Sequence, residues 1–300
     1  MGTLVIRKYP TKLFLKAADH TYVECGTGAK GWGCWGGKTG GAFLRSAPGS
    51  TLRADAVAGP DEKAGIACYL VNGVCHQAAN RIVHQSGITV DGARGYSLSI
   101  ALFGVLGRTR ALFGLCKAPF HEHTGVHGDL PECVGEAVGG VGTGDVAVSS
   151  NPDRHDFEDP GYMAAVQALY ARSEGELMED PESLFEQQME HFRLLVEHKF
   201  GSRDGLAGPA LGQLMEARAS FERRRLQAEE EFAAARAGMA FVDTFDRLTL
   251  EFQDEAARAL DGRSYSTLLD LPPDERIVLS DPEIVERVYG SNAGPEGAAT

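Results

Sequence analysis

Asn72-Gly73-Val74-Cys75-His76-Gln77-Ala78-Ala79-Asn80-Arg81-Ile82-Val83-His84-Gln85 decides how the first half of this chain folds. Asn72-Gly73 breaks the apolar stretch 65–71 that precedes it. From Cys75 onward, Ala78, Ala79, Ile82 and Val83 recur at helical spacing. They predict a helix with one buried stripe, and Gly87 is its expected stop. Cys75 opens that helix. A thiol in this position meets the positive end of the helix dipole and unpaired backbone N–H groups, which favour thiolate. The same N–H groups can hold an oxyanion. The alternative for this residue is a buried structural cysteine among small neighbours.

Upstream, residues 3–16 read as two short strands about Pro10. His20-Thr21-Tyr22-Val23-Glu24-Cys25 reads as another strand, with His20, Tyr22 and Glu24 on one face by the two-residue period. Residues 26–41 are dense in glycine and carry both tryptophans, and the expectation is a substrate-lining loop with Trp32 and Trp35 as contact surfaces. Downstream, 88–99 reads as a strand and turn, and 119–129 as a histidine-bearing loop. The polar, proline-containing stretch 145–160 marks a boundary between domains 1–150 and 151–300.

Beyond residue 160 the period is helical. Helices are expected over 161–173, from Asp180-Pro181 to about Phe200, over 209–260 with a break near Gly238, and after Asp281-Pro282. Arg223-Arg224-Arg225 followed by Glu229-Glu230-Glu231 suits an exposed or paired helix face. Residues 291–300 have the composition of a disordered tail. The fold class expected is α+β, with a mostly helical, acidic second half.

Two pieces, His20-Thr21-Tyr22-Val23 and Gly73-Val74-Cys75-His76-Gln77-Ala78-Ala79-Asn80-Arg81-Ile82, together resemble the circularly permuted branch of the NlpC/P60-like, papain-fold cysteine hydrolases and acyltransferases. In that branch the histidine strand precedes the cysteine helix. The resemblance covers residues 3–110 at most. It implies a papain-like domain in which Cys75 is the nucleophile and His20 the base, acting on an amide or ester bond of a peptide, amide or acyl substrate, with no cofactor. Tyr22 and Glu24, on the face of His20, are candidate supporting groups. His76 reads as a local base or a helix-terminal residue. The long insert from Cys25 to Gly65 departs from the family pattern.

Other constellations compete with this one. Cys68 is an alternative nucleophile inside an apolar run, where burial raises a thiol's pKa. Cys116, His121, His123, His127 and Cys133 are ligand types suited to zinc, although their spacing matches no standard zinc pattern. They support a second reading, a non-catalytic, metal-stabilised binding or scaffold protein. One of these histidines could also serve Cys75. Gly36-Gly37-Lys38-Thr39 invites a phosphate-loop reading, but Trp32 stands where that pattern needs glycine. Glu190-His191 and Glu197-His198 lack the Glu-x-x-His spacing of a di-metal bundle and read as the polar edge of an amphipathic helix.

Charge separates the two halves further. The chain has 300 residues and a net charge of −13; residues 1–150 hold 14 Lys/Arg and 11 Asp/Glu, which leaves 15 and 31 for the rest. An acidic surface is ill suited to nucleic acid, where phosphate contacts need clustered cations. No run of about 18 apolar residues predicts a membrane span, and the first residues lack the pattern of a secretory signal. The expected location is cytoplasmic, with all six cysteines, which fall before residue 134, kept as thiols. The carboxyl-terminal helices are the expected surface for a homo-oligomer or a partner protein.

Overall fold

The computed structural model of the chain describes residues 2–9, 18–28, 30–34, 41–64, 69–110, 120–124, 157, 159–171, 180–201, 205–206, 208–235 and 237–290. Strands β1 (Thr3–Tyr9), β2 (His20–Cys25), β3 (Lys30–Cys34) and β4 (Ala42–Pro48) precede helices α1 (Thr51–Ala64), α2 (Cys75–Val83) and α3 (Tyr96–Phe103); strand β5 (Phe120–Thr124) follows. The strands form one sheet in the order β4-β1-β2-β3-β5, and every pairing is antiparallel. Strands β1 to β4 precede the first helix and the strand pairings are antiparallel, so the architecture is α+β.

Strand periodicity sets the two faces of the sheet. Ile6 lies opposite Val23, and Val23 opposite Trp32. With Leu4 these residues are buried and face the core. The other face carries Arg7, Tyr9, Tyr22 and Glu24, with the Tyr9 and Tyr22 rings stacked 5.9 Å apart. His20 pairs with Tyr9 and therefore starts β2 on this second face.

The second half contributes α4 (Pro160–Ala171), α5 (Pro181–Phe200), α6 (Gly208–Ala235), α7 (Gly238–Ala259), α8 (Gly262–Leu269) and α9 (Pro282–Tyr289). Aspartates start three of these helices: the side chains of Asp180, Asp261 and Asp281 accept from the backbone N–H groups of Ser183, Ser264 and Glu283. The break expected near Gly238 separates α6 from α7, and phenylalanines close the pair, Phe232 stacking on Phe241 at 5.2 Å.

Packing does not break where composition does. One buried cluster runs from Leu4 to Tyr289, and Phe103 of α3 stacks on Phe245 of α7 at 5.7 Å. The helical half is thus part of the same core as the sheet, not an arm attached at residue 150. The charged stretch of α6 divides between surface and interior: Arg223, Arg224, Glu230 and Glu231 are exposed, and Arg225 pairs with Glu229 inside. Arg218, Glu222, Arg225 and Glu229 are buried with Arg108. Arg108 Nη2 donates to Glu222 at 2.7 Å and its Nη1 reaches Glu229 and the Val71 carbonyl. Arg218 and Arg225 donate to the terminal carbonyls of α3, at Ala101 and Leu102. Burial pushes the Glu222 carboxyl up, but Arg108, Arg225 and Arg218 overcome it and hold it down at about 2.

Several other expectations are corrected. The insert between Cys25 and Gly65 contains β3, β4 and α1. Residues 96–103 form α3, and 120–124 form β5 where a loop was expected. His191 does not lie on a polar edge: it is buried against Gly104, and burial, with Arg218 nearby, pulls its imidazole down to about 3. Among the described residues no helix is long and apolar enough to cross a membrane.

Candidate active site

The turn before α2 is built to present its first residue. Leu70, a buried non-glycine residue, sits at φ +63°, and its N–H closes a turn onto the Gly73 carbonyl at 2.9 Å. Such strain costs on the order of 1–3 kcal/mol and persists only where the surroundings impose it. They do so through Asn72, whose side-chain amide donates to the carbonyls of Arg108 and Arg110 at 3.0 and 2.7 Å. A Cβ on Gly73 would lie 2.9 Å from the Gln77 Cβ. Its absence lets Gln77 fold back and accept the Val74 N–H at 3.1 Å. The Gln77 amide also donates to Ser99 Oγ and the Gly104 carbonyl, both at 3.1 Å, which ties the start of α2 to α3.

Cys75 emerges from this frame at the first helical position, 5% exposed, with its thiol donating to the Asp19 carbonyl at 3.6 Å. That carbonyl belongs to the peptide that leads into His20. The structure therefore brings the cysteine helix and the histidine strand together at the start of β2. The Gln77 and Ala78 N–H groups turn back to the Val74 carbonyl at 3.1 and 3.3 Å, and Cys75 sits at the positive end of the α2 dipole.

His76 has a different role. Its Nε2 lies 2.9 Å from the same Asp19 carbonyl and its Nδ1 lies 3.0 Å from Ser99 Oγ. A carbonyl only accepts, so Nε2 must carry the proton. A ring nitrogen committed to donation is no base, and His76 is a positioning group for the strand.

His20 is 2% exposed, and among the described residues neither of its ring nitrogens makes a hydrogen bond. Its Nδ1 lies 3.7 Å from Oδ2 of Asp281, the residue that caps α9. Asp281 reads in the sequence only as a helix start; nothing local links it to a strand at the other end of the chain. The supporting groups expected from β2 turn elsewhere. Glu24 accepts from Arg7 Nε at 2.5 Å and from the Tyr22 hydroxyl at 3.3 Å. Burial and the Glu24 charge raise the Tyr22 phenol. Neither residue orients His20.

Trp32 is 2% exposed and its indole N–H donates to Asp55 at 3.0 Å. It is a core residue anchored to α1, not a contact surface for substrate. Trp35, the Gly36–Thr39 loop, Cys68, Cys116, His127 and Cys133 lie outside the described residues. His121 and His123 fall on β5, opposite Gly33 and Gly31. Among the described residues no group of three or more His, Cys, Asp or Glu is arranged to hold a metal. Cys25 and Cys75 are thiols outside any disulfide.

Comparison with protein-family models, with curated proteins and with solved structures returns no match.

Proposed function

We propose that this protein is a thiol-dependent hydrolase or acyltransferase that uses Cys75 as nucleophile and His20 as base, in a domain of permuted papain-like type. One observation carries the reading: the Cys75 thiol, at the start of a helix, rests on the peptide that leads into a buried histidine whose ring nitrogens make no hydrogen bond among the described residues. Buried polar groups are normally satisfied. A buried imidazole without a hydrogen bond among the described residues, on the strand whose entry peptide the Cys75 thiol touches, supports a proton shuttle.

In the proposed reaction the Cys75 proton passes to His20. Because His20 shares its face with Tyr9 and Tyr22 while the thiol lies against the Asp19 carbonyl, the transfer runs around the end of the strand. The thiolate adds to the substrate carbonyl, and the N–H groups of α2 hold the oxyanion. The leaving amine or alcohol takes the proton back as its bond breaks. Water then releases an acid, or an acceptor amine takes the acyl group, and Cys75 is restored.

An activated acyl ester tests this reading. Incubation followed by peptide mass mapping is expected to find the acyl group on Cys75. Labelling is expected to be absent at that position in Cys75→Ser and slowed about 100-fold or more in His20→Gln. Acylation of Cys75 at an unchanged rate in His20→Gln, or none at Cys75 in the wild type, would overturn it.

A further inference from the structure

We infer that Asp281 is the positioning residue for His20, so that the last helix of the acidic half completes a site whose nucleophile and base lie in the first half. The inference rests on the Cys75/His20 reading. Asp281 divides its carboxylate between two tasks. Oδ1 accepts the Glu283 N–H at 2.9 Å and caps α9, while Oδ2 faces His20 Nδ1 at 3.7 Å. Both side chains are almost fully buried, 5% and 2% exposed.

The segment carrying Asp281 is fixed against the start of β2 by bonds independent of that contact. The Ala18 N–H donates to the Val278 carbonyl at 3.1 Å. Tyr69, in the turn before α2, accepts the Asp281 N–H at 2.7 Å and donates to the Leu279 carbonyl at 3.1 Å. The Tyr289 hydroxyl, at the end of α9, donates back to the Tyr69 carbonyl. Tyr69 thus couples the position of α9 to the same turn that presents Cys75.

A carboxylate at Nδ1 does two things for an imidazole. It holds the neutral ring as the Nδ1–H tautomer, which leaves Nε2 as the acceptor, and it stabilises the imidazolium formed when Nε2 takes a proton. At 3.7 Å the contact is longer than a hydrogen bond, and it shortens when the ring becomes charged. Glu24, the other carboxylate with a claim on His20 by sequence, is engaged by Arg7.

The test has two readouts. Nitrogen chemical shifts of His20 in the wild-type full chain are expected to report the Nδ1–H tautomer; the Nε2–H tautomer would overturn the inference without any variant. Asp281→Asn keeps a capping side chain and removes the charge. It is expected to slow Cys75 acylation more than tenfold near neutral pH, with Asp281→Glu restoring part of the rate. An unchanged acylation rate would overturn the inference. Failure of the wild type to acylate Cys75 would remove the underlying reading instead, and the His20 tautomer in the wild type would still report the pairing by itself.

Discussion

Two clusters of buried polar side chains join the halves of this molecule, and they are satisfied to different degrees. Around α6, the guanidinium groups of Arg108, Arg218 and Arg225 each meet a carboxylate and a backbone carbonyl. At the start of β2, His20 is as deeply buried, yet neither ring nitrogen is hydrogen-bonded among the described residues. The first cluster has the form of architecture: three guanidiniums share Glu222 and Glu229 and clamp the end of α3 and the turn before α2, although Arg108 Nε and Glu229 Oε2 make no hydrogen bond among the described residues. The second keeps a polar group where packing alone would favour an apolar one, which is the form a working site takes.

The contrast is sharpest in what each cluster loses on mutation. Glu222→Gln leaves three buried guanidiniums short of one carboxylate and is expected to destabilise the fold by about 3–5 kcal/mol in urea unfolding. Because the Glu222 pKa is depressed in the fold, from 4.5 to about 2, its stabilisation is present above about pH 4.5 and is lost as the pH falls toward 2. Wild-type stability should decline across that window, and this part of the decline should be missing in the variant.

Asp246, bonded to Ser280 beside Asp281, has the opposite sign. Burial pushes its carboxyl up to about 6; the Ser280 hydroxyl, donating at 2.6 Å, opposes the shift and Asp243 adds to it. A raised carboxyl pKa contributes stability below the unfolded value of 3.8 that is lost as pH rises through about 6. Asp246→Asn is therefore expected to exceed the wild type by about 2–3 kcal/mol near pH 7.5 and to match it near pH 3, as thermal or urea unfolding at the two pH values would show.

His20→Leu is expected to change stability least, by within about 1 kcal/mol, because among the described residues its ring nitrogens make no hydrogen bond and the Asp281 contact, at 3.7 Å, is a long one. The same change should abolish reaction at Cys75. If His20→Leu costs as much stability as Glu222→Gln, the distinction between the two clusters collapses.

How far these features were legible in the sequence follows from how local their causes are. β1, β2 and α2 could be read because alternation and helical spacing act over a few residues, and the caps at Asp180 and Asp281 because each binds an N–H nearby. β3 was hidden by glycine: Lys30–Cys34 holds two glycines among its five residues, and only pairing with β2 and β5 makes it a strand. Residues 96–103 are buried on every side, so α3 has no polar face to reveal its period. Charge on a helix ordinarily means solvent, but Arg225 and Glu229 are buried because Arg108 and the carbonyls of α3 await them. Cys75 and His20 were legible as candidates; Asp281 was not, because its link to His20 exists only in the folded chain.

The most direct measurement compares two buried thiols within one chain. Cys25 is 1% exposed, lies at the opposite end of β2 from His20, and its sulfur accepts the Lys30 N–H at 3.3 Å. Iodoacetamide alkylation, followed site by site by mass spectrometry from acid to alkaline pH in the folded protein, should modify Cys75 faster than Cys25 below about pH 7, and His20→Gln should remove the difference. Equal rates at Cys75 and Cys25 below that pH, or a Cys75 rate indifferent to His20, would contradict the account.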